Sequence, residues 1–299
     1  MSTAPAARLR TLLGDYPVTA PLLQGAIRSP LVDFDRVEVK PIPLAFKRVV
    51  RDLEFDVAEL SIVTYLIAKA CAVPLVLLPA VLVARFQHAL LVYNTERGPL
   101  APQDLEGRRI GVRSYSVTTG AWIRGILAED YGVDIDRVRW VTFEEAHVAG
   151  FKDPPNVERA PADRKIVDML LAGEIDAAVV GDGMQPDPRV RPVIPVPAAA
   201  AAAWQRKHGA LQINHMVVVR QSLSQDAPQT VREVYRLLAQ SKRAAQLPAG
   251  TGIDLNPFGL EANRRNLEVA IDCVYRQQLI PKRYTVDELF DDTTRTLDA

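Results

Sequence analysis

In an open α/β sheet, ligands meet the chain at the carboxyl ends of strands, where helix N-termini offer N–H donors and the positive end of the helix dipole. Two segments of this sequence put hydroxyls in such places. After the apolar run FDVAEL come Ser61 and then Thr64, opening a helix that continues through Tyr65 and Leu66. After RRIGV comes SYSVTTGAW, with Ser114, Ser116, Thr118 and Thr119. Each is either an anion cradle or an ordinary helix cap, since Ser and Thr are the usual N-cap residues, and the residues alone leave both readings open.

Titratable groups collect at the same kind of position. Glu144, Glu145 and His147 follow the run RVRWVTF, and Asp182 with Gly183 follows AAVVG. The segment ARFQHALLVY sets Arg85 and His88 at the start of a first crossover strand, and LQINHMVVVR sets Asn214 and His215 at the start of a return strand. Three of the four histidines therefore fall at strand ends, while His208, in WQRKHG, reads as a solvated helix end. Histidine titrates near neutral pH and can move a proton there, although a lone histidine is more often a structural hydrogen-bonder. His88, His147 and Asp182 lack any local ligand spacing, so no metal is expected. There is no GxSxG elbow, P-loop, GxGxxG, HExxH or CxxC, and no cofactor is expected either.

Composition narrows the partners. Lys+Arg and Asp+Glu both number 36, so no basic field exists to draw nucleic acid or an acidic membrane. Cys71 and Cys273 sit in apolar stretches and read as reduced core thiols. The N-terminal segment MSTAPAARLRTLLGDYPV lacks the apolar core of a secretory signal, and a cytoplasmic location is the expectation. The apolar run Ala70 to Ala84 contains Pro74 and Pro79, is too short to cross a bilayer, and reads as buried core.

The elements that would position these residues alternate between short apolar runs and helical patterns, which argues α/β with largely parallel sheets. Strands are expected at 9–13, 36–39, 55–60, 89–93, 109–112, 137–141, 177–180, 193–196 and 215–219. Helices are clearest where Val231, Val234, Tyr235 and Leu238, and later Leu267, Ala270, Ile271 and Val274, recur at helical spacing. Pro228 suits a first helical turn, Thr285 and Glu288 form a capping box, and the alanine run 198–203 reads as a helix carrying Trp204 and His208. The proline-rich segment 152–163 reads as a loop. Pattern changes at 93–102 and 192–214 bracket a central α/β block, so two lobes are expected. Residues 1–92 and 215–299 would form lobe I and 97–195 lobe II, with crossovers near 93–96 and 196–214.

Several strings carry a resemblance: FDVAELSIVTYL, RFQHALLVYN, DLEGRRIGVRSYSVTTGAWIRGILAEDYGV, INHMVVVR and FGLEANRRNLE. Together they resemble the 4,5-dihydroxyphthalate decarboxylase family over most of the chain. The resemblance implies a two-lobed periplasmic-binding-protein-like type 2 fold with a cleft and two interlobe crossovers, used by cytoplasmic enzymes of aromatic catabolism. It implies non-oxidative loss of one carboxylate from a hydroxylated aromatic dicarboxylate, giving protocatechuate and CO2. The stretch TFEEAHVAGFKDPPNVERAPA departs from the family's Gly-rich, Pro-Gly-Arg pattern and bears on substrate identity. Protonating the ring carbon needs a general acid, for which His215 is the first choice and His88 the second, the latter also suited to orient a phenolic oxygen or take its proton. Arg85 would clamp the retained carboxylate, Ser61, Thr118 and Thr119 would donate to oxygens, and Trp122 would either wall the departing one or serve the core. Thr64, Ser116, His147, Asp182 and Asn214 complete the expected binding set. The alternative is a solute-binding or ligand-sensing protein for a small aromatic carboxylate, without catalysis; a homo-oligomer stays open under either reading.

Overall fold

A computed structural model describes residues 6–181, 184–245 and 252–298. Along them run strands β1 (Ala7–Leu12), β2 (Val32–Arg36), β3 (Val57–Ser61), β4 (Leu75–Ala84), β5 (Leu91–Asn94), β6 (Arg109–Val112), β7 (Arg139–Thr142), β8 (Val157–Arg159), β9 (Ala177–Val179), β10 (Val190–Pro192) and β11 (Ile213–Arg220). Between them lie helices α1 (Ala20–Leu23), α2 (Phe46–Arg51), α3 (Ile62–Ala70), α4 (Thr118–Tyr131), α5 (Ile166–Ala172), α6 (Pro197–His208), α7 (Gln221–Asp226), α8 (Pro228–Ala244) and α9 (Leu260–Arg276). The strands form two sheets, as an α/β pattern with a central block requires.

The first sheet has the order β2-β1-β3-β11-β4, with β1 parallel to β2 and β3, and β11 antiparallel to β3 and β4. One face of it carries Val57, Val217 and Val219 into a cluster with Val231, Val234 and Leu238 of α8. The second sheet has the order β10-β5-β9-β6-β7-β8. The neighbours β9, β6, β7 and β8 pair in parallel, while β5 is reversed and pairs antiparallel with both β9 and β10. Val141, Met169, Leu170, Ile175 and Ala178 pack there. Both sheets are therefore mixed rather than largely parallel. No helix among the described residues is long and apolar enough to cross a membrane.

Two strands were not legible as such. The run expected as undifferentiated core holds β4, which accommodates Pro79 because it is an edge strand and its register with β11 shifts between the Met216 and Val218 pairs, so the missing N–H breaks no ladder. The run's first residues leave the core, and Cys71 is exposed while Cys273 is buried, both free. The segment 152–163 contains β8, paired with β7. β2 begins before its expected start because Asp33 and Asp35 alternate with Val32 and Phe34 on an outer strand, which hides the apolar period.

The chain divides into two compact units. The first holds the chain up to Arg85, Ile213–Asp272 and Ile280 onward; the second holds Phe86–Gln212 and Cys273–Leu279. The outgoing step falls at Arg85–Phe86, ahead of the expected 93–96, because β5 pairs wholly within the second sheet. Nothing in the sequence pattern marked Cys273–Leu279 as part of the second unit.

The segment FGLEANRR ties the first unit's edge strand to α9. Gly259 takes a φ of 101°, which favours glycine, and its N–H donates to the Pro79 carbonyl at 2.8 Å. Buried Asn263 donates through Nδ2 to the carbonyls of Pro257 and Gly259, both at 2.9 Å. Replacing Asn263 by Leu leaves two carbonyls without that donor. A loss of about 2 kcal/mol or more is expected in urea unfolding, and an unchanged midpoint would show that the amide does not hold this turn.

Candidate active site

β3 reads Val57-Ala58-Glu59-Leu60-Ser61 and is buried at every position. Side chains alternate faces along a strand, so Val57, Glu59 and Ser61 share one. β11 sets His215 opposite Ser61, Val217 opposite Glu59 and Val219 opposite Val57. Opposite residues share a face, and diagonal neighbours lie within reach of long side chains. At its apolar end this face is core; at the carboxyl end of β3 it turns polar. There Glu59, 0% exposed, meets His215, whose Nδ1 stands 2.6 Å from Glu59 Oε1.

Two more donors reach the same carboxylate from the turn after β1. The Gly14 N–H donates to Oε2 at 2.9 Å, and the Tyr16 hydroxyl donates to Oε1 at 2.7 Å. Buried Thr19 pins that turn, its hydroxyl donating to the Gly14 carbonyl at 2.6 Å and accepting from the Tyr16 N–H at 3.0 Å. A Cβ on Gly14 would lie 2.5 Å from the Tyr16 ring, so glycine is what lets the phenol reach Glu59. Burial first, then the charge and hydrogen bond of Glu59, hold the Tyr16 phenol far above its ordinary range, against a smaller opposing pull from Arg85. Tyr16 therefore remains a donor. A carboxylate accepting from both takes the imidazole as its third donor, and on that ground the proton is assigned to Nδ1, leaving Nε2 for exchange with a ligand.

The rest of the expected first-unit set stands around this cluster. Phe46 of α2 meets the His215 ring edge-on, centroids 5.2 Å apart at 84°. The His215 side chain keeps 16% of its surface exposed, so it is not sealed. Arg85 follows β4 directly, half-buried and within electrostatic reach of Tyr16; burial lowers its guanidinium from the ordinary value, which leaves it charged. Ser61 is the N-cap of α3, yet its hydroxyl makes no cap bond and donates instead to Thr64 Oγ1 at 2.7 Å, both side chains buried. Simple capping is thus not its use. Asn214 is buried on β11, one residue before His215, where the register with β4 shifts. Glu59 and Tyr16 escaped the sequence reading; the available signal was an acidic residue inside a strand otherwise made of core residues.

The second unit places its own expected residues on α4 and the loops near it. Ser114, Ser116 and Thr118 are buried and Thr119 half-buried, with the Ser114 and Ser116 hydroxyls 3.5 Å apart. The N-cap of α4 is Val117, without a side-chain cap, so these hydroxyls are not caps in the usual sense either. Trp122 is buried edge-on against Trp204, at 5.9 Å, a core position. His147 is buried. His208, expected in solvent, stacks on Trp204 at 4.4 Å. Asp182 lies outside the described residues. No group of three His, Cys, Asp or Glu among the described residues is arranged to hold a metal ion.

No family model matches the chain. A 4,5-dihydroxyphthalate decarboxylase of Comamonas testosteroni is 29% identical over 257 residues, covering 80% of this chain and 76% of that protein. Another of that description, from Pseudomonas putida, is 31% identical over 211 residues, covering 66% of this chain and 81% of that protein. Among solved structures, the alkanesulfonate-binding protein SsuA from Xanthomonas axonopodis pv. citri bound to MOPS matches with a TM-score of 0.59 at 16% identity, over 97% of this chain and 99% of that one. The fold is that of periplasmic-binding-protein-like α/β proteins.

His88 departs most from expectation. It is not on a strand beside β11, because β4 ends at Ala84 and His88 lies in the turn before β5, in the second unit. The ring is 1% exposed, and neither nitrogen has a hydrogen-bond partner among the described residues. Burial lowers its pKa to about 4, with Asp130 opposing weakly, so at neutral pH it carries no proton to donate as an imidazolium. A histidine lowered in the fold binds its proton more readily when unfolded. Its contribution to stability is therefore complete above about pH 6.5 and is lost as the pH falls toward 4, at up to about 1.4 kcal/mol per pH unit. Urea unfolding of wild type and His88→Phe across that window reads it: the variant should lose part of the slope, and equal slopes would mean that the buried ring is protonated without penalty.

Proposed function

The chain belongs to the 4,5-dihydroxyphthalate decarboxylase family, and on that premise we propose that it removes one carboxylate from 4,5-dihydroxyphthalate to give protocatechuate and CO2. The observation that carries the reading is His215 seated on buried Glu59. Replacing an aryl carboxylate by hydrogen needs one proton at the ring carbon and a route for the bond electrons. The hydroxyl para to the departing group, partly deprotonated, makes that carbon electron-rich. His215, as imidazolium, delivers its Nε2 proton there. The carbon–carbon bond then breaks, its electron pair returns to the ring, and CO2 leaves uncharged. His215 ends neutral and takes a proton from solvent for the next cycle.

Glu59 serves this sequence without touching the substrate. Its carboxylate fixes the ring through Nδ1 and stabilises the charge that the imidazolium carries before transfer, the role of the acid behind histidine in other proton-transfer sites. Arg85, still charged, suits the retained carboxylate through two parallel hydrogen bonds. Ser61 and Thr64 offer hydroxyls at the start of α3, next to His215 across the ladder. A cytoplasmic location goes with this reading, since an exposed free thiol at Cys71 suits a reducing compartment, and cell fractionation would check it.

Incubation with 4,5-dihydroxyphthalate, following CO2 release and product absorbance, is the direct test; tight binding with no CO2 would make the protein a carboxylate binder instead. His215→Asn should keep most ligand affinity and lower kcat by at least about 10²-fold, and Glu59→Gln should lower kcat toward the same level. Equal losses of binding and turnover would recast His215 as a ligand contact. Arg85→Ala should raise KM about tenfold or more with a smaller change in kcat, and an unchanged KM removes the clamp role.

A further inference from the structure

Glu59 Oε1 has two donors. The Tyr16 hydroxyl reaches it at 2.7 Å and His215 Nδ1 at 2.6 Å, while the Gly14 N–H occupies Oε2 at 2.9 Å. We propose that Tyr16 is a positioning residue that acts through Glu59: by sharing Oε1 with His215, it limits how tightly the dyad holds its proton and so keeps His215 a strong enough acid to give it up. The inference rests on the catalytic reading of His215 for its use, though not for its physics. A hydrogen bond donated to a carboxylate draws charge from the oxygen that receives it, which weakens that oxygen as an acceptor for the second donor. Tyr16 can hold this place permanently because its own proton is retained by burial and by Glu59 itself.

The groups around the dyad leave few competing explanations. β3 contributes Glu59 and Ser61, the turn after β1 contributes Gly14 and Tyr16, and Arg85 stands within electrostatic reach of Tyr16. α2 packs Phe46 on the imidazole and carries Lys47 beside it in sequence; α3 brings Thr64 to Ser61. Among these, Tyr16 is the group whose removal changes a bond to Oε1 while leaving every formal charge in place.

The test uses wild type, Tyr16→Phe and Glu59→Gln, read by NMR titration of the imidazole signals in the absence of substrate. With four histidines in the chain, the His215 signal is assigned by its loss in His215→Asn. In Tyr16→Phe the His215 midpoint should move up by about half a pH unit or more, and in Glu59→Gln it should move down. The alkaline limb of kcat against pH should move up with it in Tyr16→Phe, while KM stays within about twofold. A midpoint that is unchanged or lower in Tyr16→Phe overturns the inference, whatever the activity. A midpoint that rises while the limb stays fixed keeps the Tyr16–Glu59–His215 coupling and overturns His215 as the acid. Should Tyr16→Phe fail to fold, Gly14→Ala displaces the phenol through its ring without deleting it, and the same upward movement is expected; no movement there overturns the inference equally.

Discussion

The first unit is organised around one constraint: a carboxylate that water cannot reach. An ionised carboxylate taken from water into a protein interior costs several kcal/mol unless donors replace the water. Glu59 is fully buried within a strand, and its three donors come from two separate stretches of chain. The Gly14–Thr19 turn, fastened by the Thr19 hydroxyl, delivers an N–H and a phenol. β11 delivers an imidazole from 156 positions away. The β3–β11 register is thereby tied to the site, since a slip of one residue would carry His215 to the other face of the sheet and leave Oε1 without it. Placing β11 antiparallel between β3 and β4 makes the sheet mixed, and it puts a return strand's third residue beside the carboxyl end of a parallel one.

The second unit has its own buried charge, handled differently. Arg124 on α4 is fully buried, its guanidinium 3.8 Å from the Tyr115 ring centroid and 5.4 Å from that of Trp140, with Nε donating to Gln277 at 2.8 Å. Flat aromatic faces attract a cation without supplying a countercharge. Tyr115 and Arg124 both lie in SYSVTTGAWIRGIL, and Gln277 lies in the short segment that joins the second unit after α9. The strings SYSVTTGAWIRGIL and FGLEANRR therefore encode scaffolding as well: Arg124 in the first and Asn263 in the second are packed and hydrogen-bonded within their own surroundings.

This explains what the sequence could and could not reveal. Period and punctuation located the helices with buried Val231, Val234, Tyr235 and Leu238, the Thr285–Glu288 capping box, and strands such as β6. They failed where an edge position relaxes the rules, at β4 with its proline and β2 with its aspartates. At the site, residue type was informative and pairing was not. His215, Arg85, Ser61 and Thr64 stood out as polar groups at element ends. Glu59 was hidden because an apolar run tolerates one charge and still has the pattern of a strand, and Tyr16 because a tyrosine in a turn signals nothing until the carboxylate it serves is located. His88 and His215 looked like partners because both flank expected crossover strands, yet only the register, with Ser61 and Val83 opposite His215, decides neighbours.

A site that holds a carboxylate can replace it by hydrogen only if something there supplies a proton to carbon. Arginine and helix N-termini cannot: they can hold the retained carboxylate but have no readily exchanged proton to deliver to carbon. A histidine in open solvent changes charge readily but has no fixed orientation, and one sealed in apolar surroundings, as His88 is, gives up its proton too early to donate it at neutral pH. His215 differs from both. Its Nδ1 side is bound to a buried carboxylate that fixes the ring, while part of its surface remains open. In the proton-transfer role proposed for His215, the three hydrogen bonds on Glu59 would keep the carboxylate in place through both protonation states, so that loss of the proton to carbon would change one charge in a setting already arranged for it. On that proposal Glu59 would separate proton delivery from mere capture in this unit, from within a strand whose Val57, Ala58 and Leu60 are ordinary core.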